Sequence, residues 1–313
     1  MSRETQLWAW FLFASGLPTS RAKHLLDRWQ TTKRSLTDTL AALPGAANGL
    51  GLTAEEAHIL RPPATLPPIT ALRWDEPSYP TGLRRLPLES RPALLFYRGD
   101  VQLLRRPLIY LQPVAIPPDE HDIAQETLGL LLGESFLVAA THGSDQAALL
   151  LAEMADSEGE ILLFARCGLE QLTPVSREAA LLAEQRLILV SALPPATPGN
   201  PRWDTLLTQV EAAAALRCLV IGSAPQPSAP PWPATPTFYV TSHSPAPATP
   251  ATADPTEALL WLMGSEHLKT APAPTSPPPE PEAEPAPPPE ETLRILAQGG
   301  HIPHILRERL LGQ

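Results

Sequence analysis

Between residues 107 and 222 short, unbroken apolar runs alternate with amphipathic stretches, and this alternation limits the fold more than any other feature of the chain. The apolar runs predict strands at 107–112, 136–140, 160–165, 187–191 and 217–222, with another at 237–241. The stretches between them predict helices at 118–133, 144–155, 176–184 and 204–215. A strand that is apolar at every position is buried on both faces, which requires a mostly parallel sheet covered on both sides by its crossover helices. The expected class is therefore α/β, a doubly wound sheet whose ligands bind at the carboxyl ends of the strands.

The segments around this core read differently. Residues 1–62 predict a small helical domain. Two turns, Gly16-Leu17-Pro18 and Asn48-Gly49-Leu50-Gly51, separate helical patterns, and Thr53-Ala54-Glu55-Glu56 has the form of a capping box. Both turns are similar to helix-hairpin-helix elements, whose backbone N–H groups hold a phosphate, and to ordinary glycine-containing helix ends. Residues 63–75 read as a proline-containing linker. Asp75 to Pro107 then leads into the core, with a short strand at Ala93 to Tyr97 closed by Arg98-Gly99-Asp100. Twenty of the 40 prolines fall between Ser223 and Glu290. Asp254-Pro255-Thr256-Glu257 starts a short helix there, with an N-cap and a proline at the first position. Residues 266–290 predict an extended spacer of Pro, Ala and Glu, and 291–313 a short helical tail.

Charge and side-chain chemistry narrow the function. Residues 1–110 carry 14 Lys and Arg against 9 Asp and Glu, a balance of +5, which leaves −15 for the remainder. A footprint for nucleic acid is expected in the first third. Leu7 to Phe13 is apolar, but its leader is not basic and Gly16 and Pro18 interrupt it, so neither a signal peptide nor a membrane span is expected. Cys167 and Cys218 lie in apolar runs and suggest buried free thiols. The loop Thr141-His142-Gly143-Ser144-Asp145 contains triad residue types, but neighbours on one turn cannot converge as a triad must; capping by Ser144 or Asp145 is the expected role. Pro303 separates His301 from His304, and no metal site is expected.

Several motifs together resemble the DNA-processing protein A family (DprA/Smf). They are Tyr79-Pro80; Pro92-x-Leu-Leu-Phe-x-Arg-Gly-Asp; Gly143 and Asp145 with Ala147-Ala148; Cys167-Gly168-Leu169-Glu170 with Pro174; and Ser191 with Pro194-Pro195 and Thr197. The resemblance implies a Rossmann-like core over 76–265. It also implies a cytoplasmic, non-enzymatic protein without a cofactor, which binds single-stranded DNA in natural transformation. Expected partners are that DNA, a RecA-type recombinase and a second copy of the chain through the core. Residues expected at the DNA are Gln112, His142, Gly143, Asp145, Gly168 and Arg202, together with Arg21 and Lys23 of the basic helical domain.

The departures from the family pattern are equally specific. Where the family has Gly-Ser-Arg after the first core strand, this chain has about Gln112-Pro113-Val114, which removes a donor and a cation. The family's Phe-Pro-Arg-Arg-Asn-Arg segment is reduced to Pro201-Arg202-Trp203-Asp204-Thr205. A diverged paralogue that no longer binds DNA and serves as a dimeric interaction scaffold is the alternative. An enzyme or sensor acting on a nucleotide derivative would follow from the fold alone, and the chain has no glycine-rich phosphate fingerprint.

Overall fold

The apolar runs form the middle of a single sheet. In the computed structural model, which describes residues 2–31, 33–43, 47–222, 235–242 and 251–264, nine strands appear: β1 (Ala71–Arg73), β2 (Leu94–Arg98), β3 (Leu108–Leu111), β4 (Leu137–Thr141), β5 (Ile161–Phe164), β6 (Leu187–Ser191), β7 (Arg217–Ile221), β8 (Thr237–Val240) and β9 (Ala251–Thr252). They lie in the order β1-β2-β6-β5-β4-β3-β7-β8-β9. From β6 to β9 each pairing is parallel; β1 with β2 and β2 with β6 are antiparallel. The chain enters the parallel part at β3, steps outward to β6, then crosses back to β7 and continues the other way. The mostly parallel, doubly wound sheet expected from the alternation is present, with its switch point between β3 and β7.

The helices begin, in several cases, at side-chain caps. Among the described residues they are α1 (Arg3–Phe13), α2 (Thr19–Thr31), α3 (Leu36–Ala41), α4 (Ala54–Ile59), α5 (His121–Leu132), α6 (Asp145–Glu153), α7 (Ser176–Ala183), α8 (Asp204–Ala214) and α9 (Pro255–Leu262). Ser2 accepts the Thr5 N–H at 3.1 Å and Ser35 that of Asp38 at 3.0 Å. The capping box before α4 forms as its sequence predicts: Thr53 accepts from Glu56 N–H at 3.1 Å while Glu56 accepts from Thr53 N–H at 2.8 Å. Asp254 caps α9, with Pro255 at its first position.

Packing explains why the N-terminal apolar run belongs to the protein interior. Phe11 and Leu12 of α1 are buried together with Leu25, Leu26 and Trp29 of α2, and the Phe11 and Trp29 rings stand 5.3 Å apart. The helices meet the sheet through Trp8, whose ring lies edge-on to Trp74 at 5.6 Å. Trp74 Nε1 donates to Gln30 Oε1 at 2.5 Å. Each such fully buried large side chain contributes roughly 1.5–3 kcal/mol. The position of Trp74 also corrects one expectation: residues 71–73, read as the end of a linker, form β1 and pair with β2.

Among the described residues no helix is long and apolar enough to cross a membrane. The expectations for the spacer, the tail, His301 and His304, and the proline tract before β8 fall largely or wholly outside those residues.

Candidate nucleic-acid interface

The carboxyl ends of β3, β4 and β5 carry most of the residues expected at the DNA. Gln112 follows β3 directly at the switch point, and its N–H still donates to Leu219 O of β7 at 2.9 Å. Its side-chain nitrogen is buried without a hydrogen bond of good geometry. It stands near Cys218, whose thiol burial pushes up to about 12, opposed by Gln112 and Thr237. The following segment folds over the crevice: Val114 N–H returns to Gln112 O at 2.9 Å, and the Val114 carbonyl accepts from the buried Gln146 amide of α6. Opposite it, Gly222 at the end of β7 has a φ of +107°, and a side chain there would meet Ala115 O and Pro117 at 3.2 Å.

The turn between β4 and α6 is built for its glycine. Ser144 N–H donates to Thr141 O at 3.1 Å, and Gly143 has a φ of +81° at the third position, where a type II turn needs glycine. Ser144 caps α6 by accepting the Ala147 N–H at 3.2 Å, the role expected of it. Asp145 opens the helix and is exposed. His142 points elsewhere, with its Nε2 3.1 Å from Oε1 of the buried Glu178. Gly168 is required for a different reason: a Cβ would lie 2.2 and 2.1 Å from the carbonyl oxygens of Pro194 and Pro195. Its N–H donates to Thr197 O at 2.7 Å, so the loops after β5 and β6 are locked together.

The cations divide into bound and free. Arg202 lies in the turn before α8, is exposed, and makes no side-chain hydrogen bond or ion pair among the described residues. Arg21 is committed: it forks onto Glu56 at 2.8 and 3.0 Å and donates to Gly51 O at 2.7 Å. Its guanidinium, assisted by the Thr53 N–H, pulls the Glu56 carboxyl down to about 2. Lys23 donates to Glu89 O at 2.8 Å, and burial lowers its pKa. The structure thus gathers Gln112, His142, Gly143, Asp145 and Gly168 at the strand ends, while Arg21 and Lys23 tie α2 to its neighbours. The second hairpin-like turn also uses its own donors, since Leu50, Gly51 and Leu52 N–H groups bond to Asn48 and Ala47 carbonyls. This is the bonding of an ordinary helix end.

One charged network at this face was not singled out from the sequence. Glu211 of α8, 2 % exposed, accepts from Tyr110 at 2.5 Å, from Thr141 at 2.9 Å, and from Arg166 at 3.2 and 3.0 Å. Arg166 also donates to Thr208 at 2.7 Å. Burial, the largest single influence, would lower the Arg166 pKa, but Glu211 together with Tyr110 and Asp204 outweighs it and raises it; burial and Glu211 together push Tyr110 well above its ordinary range. The signal available was position, because Arg166 stands just past the apolar run of β5, where a doubly wound sheet places functional residues.

This architecture has counterparts among solved structures. DNA processing protein A from Streptococcus pneumoniae aligns with a TM-score of 0.60 at 13% identity, over 81% of this chain and 96% of that one. The fold is DprA-like. A structure of DNA processing protein A from Helicobacter pylori, described for its single-stranded DNA binding mode, aligns at 0.48 with 10% identity over 63% of this chain and 97% of that one. No protein-family model and no curated protein matches the sequence.

Proposed function

We propose that the chain is a non-enzymatic DNA-processing protein of the DprA type. It binds single-stranded DNA across the carboxyl ends of β3, β4 and β5, acts as a homodimer through the core, and assists loading of a RecA-type recombinase in natural transformation. The observation that carries this reading is the extent of the structural likeness, which takes in nearly the whole of the Streptococcus pneumoniae protein. The local geometry supports it: the first N–H groups of α6 have no partner within the helix, and Arg202 supplies a free guanidinium. A helix start and a cation are each able to meet a phosphate.

The scaffold reading is favoured by a separate observation. Arg21, Lys23 and Arg166 are all engaged within the chain, and Pro113 stands where the family has a donor. Fluorescence anisotropy of the full chain with a labelled oligo-dT strand at low salt separates the two. Binding at micromolar concentration or tighter supports DNA processing. No binding by protein shown to be folded supports the scaffold.

A further inference from the structure

A second recess lies away from the strand ends just described. It opens where β3, β7 and β8 begin, beside the C-terminal end of α8, and encloses about 610 Å³. Sites for small molecules commonly measure about 300–1,000 Å³ and are mainly apolar with a few directing polar groups. The floor is apolar, formed by Leu95, Leu162, Phe164 and Val190 from three strands. The rim carries Arg85, Arg105 and Arg106, and among the described residues no carboxylate lines the cavity.

The state of these three arginines defines what fits. Arg106 is already neutralised by Glu160. Arg105 gives only its Nε–H, to Ser78 Oγ at 2.9 Å, so its terminal nitrogens are available. Arg85 is exposed and makes no hydrogen bond or ion pair among the described residues. Two uncompensated guanidiniums therefore stand over an apolar floor. The C-terminal end of α8, Ala213 to Ala215, also lines the cavity, and the turn that carries Arg85 packs against it at Gly82. An anionic group is directed to the rim by the Arg85 and Arg105 guanidiniums, with its apolar part inward on the floor.

We propose that this cavity binds a small amphipathic anion, an aliphatic or aromatic body bearing one carboxylate, sulfonate or phosphate. The cavity opens at the amino ends of β3, β7 and β8, although its floor reaches Phe164 at the end of β5, and its occupancy does not rest on DNA binding. A nucleic acid fits it less well, because the floor offers base edges no hydrogen-bonding partners and two free cations do not form a backbone track.

The test uses the full chain and the fluorescent sulfonate 8-anilinonaphthalene-1-sulfonate. Binding should be saturable and displaced by dodecanoate. Dodecanol, with the same body and no charge, should displace it about tenfold less well or worse, because the charge-assisted hydrogen bonds are missing. The R85E/R105E double variant should weaken the probe by a similar factor, and the R85K/R105K variant should recover most of it. The proposal is overturned by the absence of saturable binding, by equal displacement with dodecanol, or by charge reversal without effect. Displacement by oligo-dT would also overturn it and assign the cavity to nucleic acid. Failure of these arms leaves the oligo-dT result at the strand ends unaffected, so the two readings stand or fall separately.

Discussion

At Glu211 one buried carboxylate serves donors from three residues, Tyr110, Thr141 and Arg166. Glu211→Ala would leave the partly buried Arg166 without its main counter-charge, and such changes cost about 3–5 kcal/mol; urea unfolding should report a loss of that order. A loss below about 1 kcal/mol would show that Arg166 escapes to solvent. Gly168 offers a second test, since any side chain there meets two backbone carbonyls. Gly168→Ala should cost about 1–3 kcal/mol through overpacking. Gly143→Ala meets open space and should cost only the left-handed backbone penalty of roughly 1–2 kcal/mol. The Arg21 and Glu56 pair makes a prediction in pH. The Glu56 carboxyl is depressed in the folded chain, so its contribution is complete above the ordinary value of 4.5 and is lost as pH falls towards about 2. Glu56→Gln can keep the capping box and removes the charge. Its melting temperature should fall less steeply than that of the parent chain across this window, and parallel curves would contradict the assignment.

Among the elements, those with strong local signals were legible and those depending on distant partners were not. The expected strands from 107 to 241 and the four helices between them form within a few residues of their expected limits, because fully buried strands and the amphipathic helices between them announce themselves in composition and periodicity. β1 and β9 span only three and two residues, too short for any pattern, and they exist because β2 and β8 offer an edge. The same distinction applies to the site. Gly143 and Ser144 act within four residues and could be read from their turn. The capture of Arg21 by Glu56 and of Lys23 by Glu89 O spans 35 and 66 positions, and no local pattern carries such pairings. For α6 the prediction is direct: Ser144→Ala should cost about 1 kcal/mol in chemical denaturation through loss of the cap on Ala147 N–H. A change within error would mean that water replaces the cap.

For the whole molecule the question is where a net charge of −10 leaves room for a polyanion. The basic first third suggested the helical domain, but two of its cations are spent on internal bonds. The proposed carboxyl-end site adds the start of α6 and the exposed Arg202. With so few free cations there, affinity should be modest and the salt dependence shallow, since each phosphate neutralised contributes about −0.7 to the slope of log K against log salt for single strands. The deciding measurement is the salt dependence of oligo-dT binding by the full chain and by Arg202→Ala, followed by fluorescence anisotropy. The strand-end account predicts weaker binding by the variant and a slope shallower by about 0.7. Equal affinities and slopes for the two proteins would contradict it.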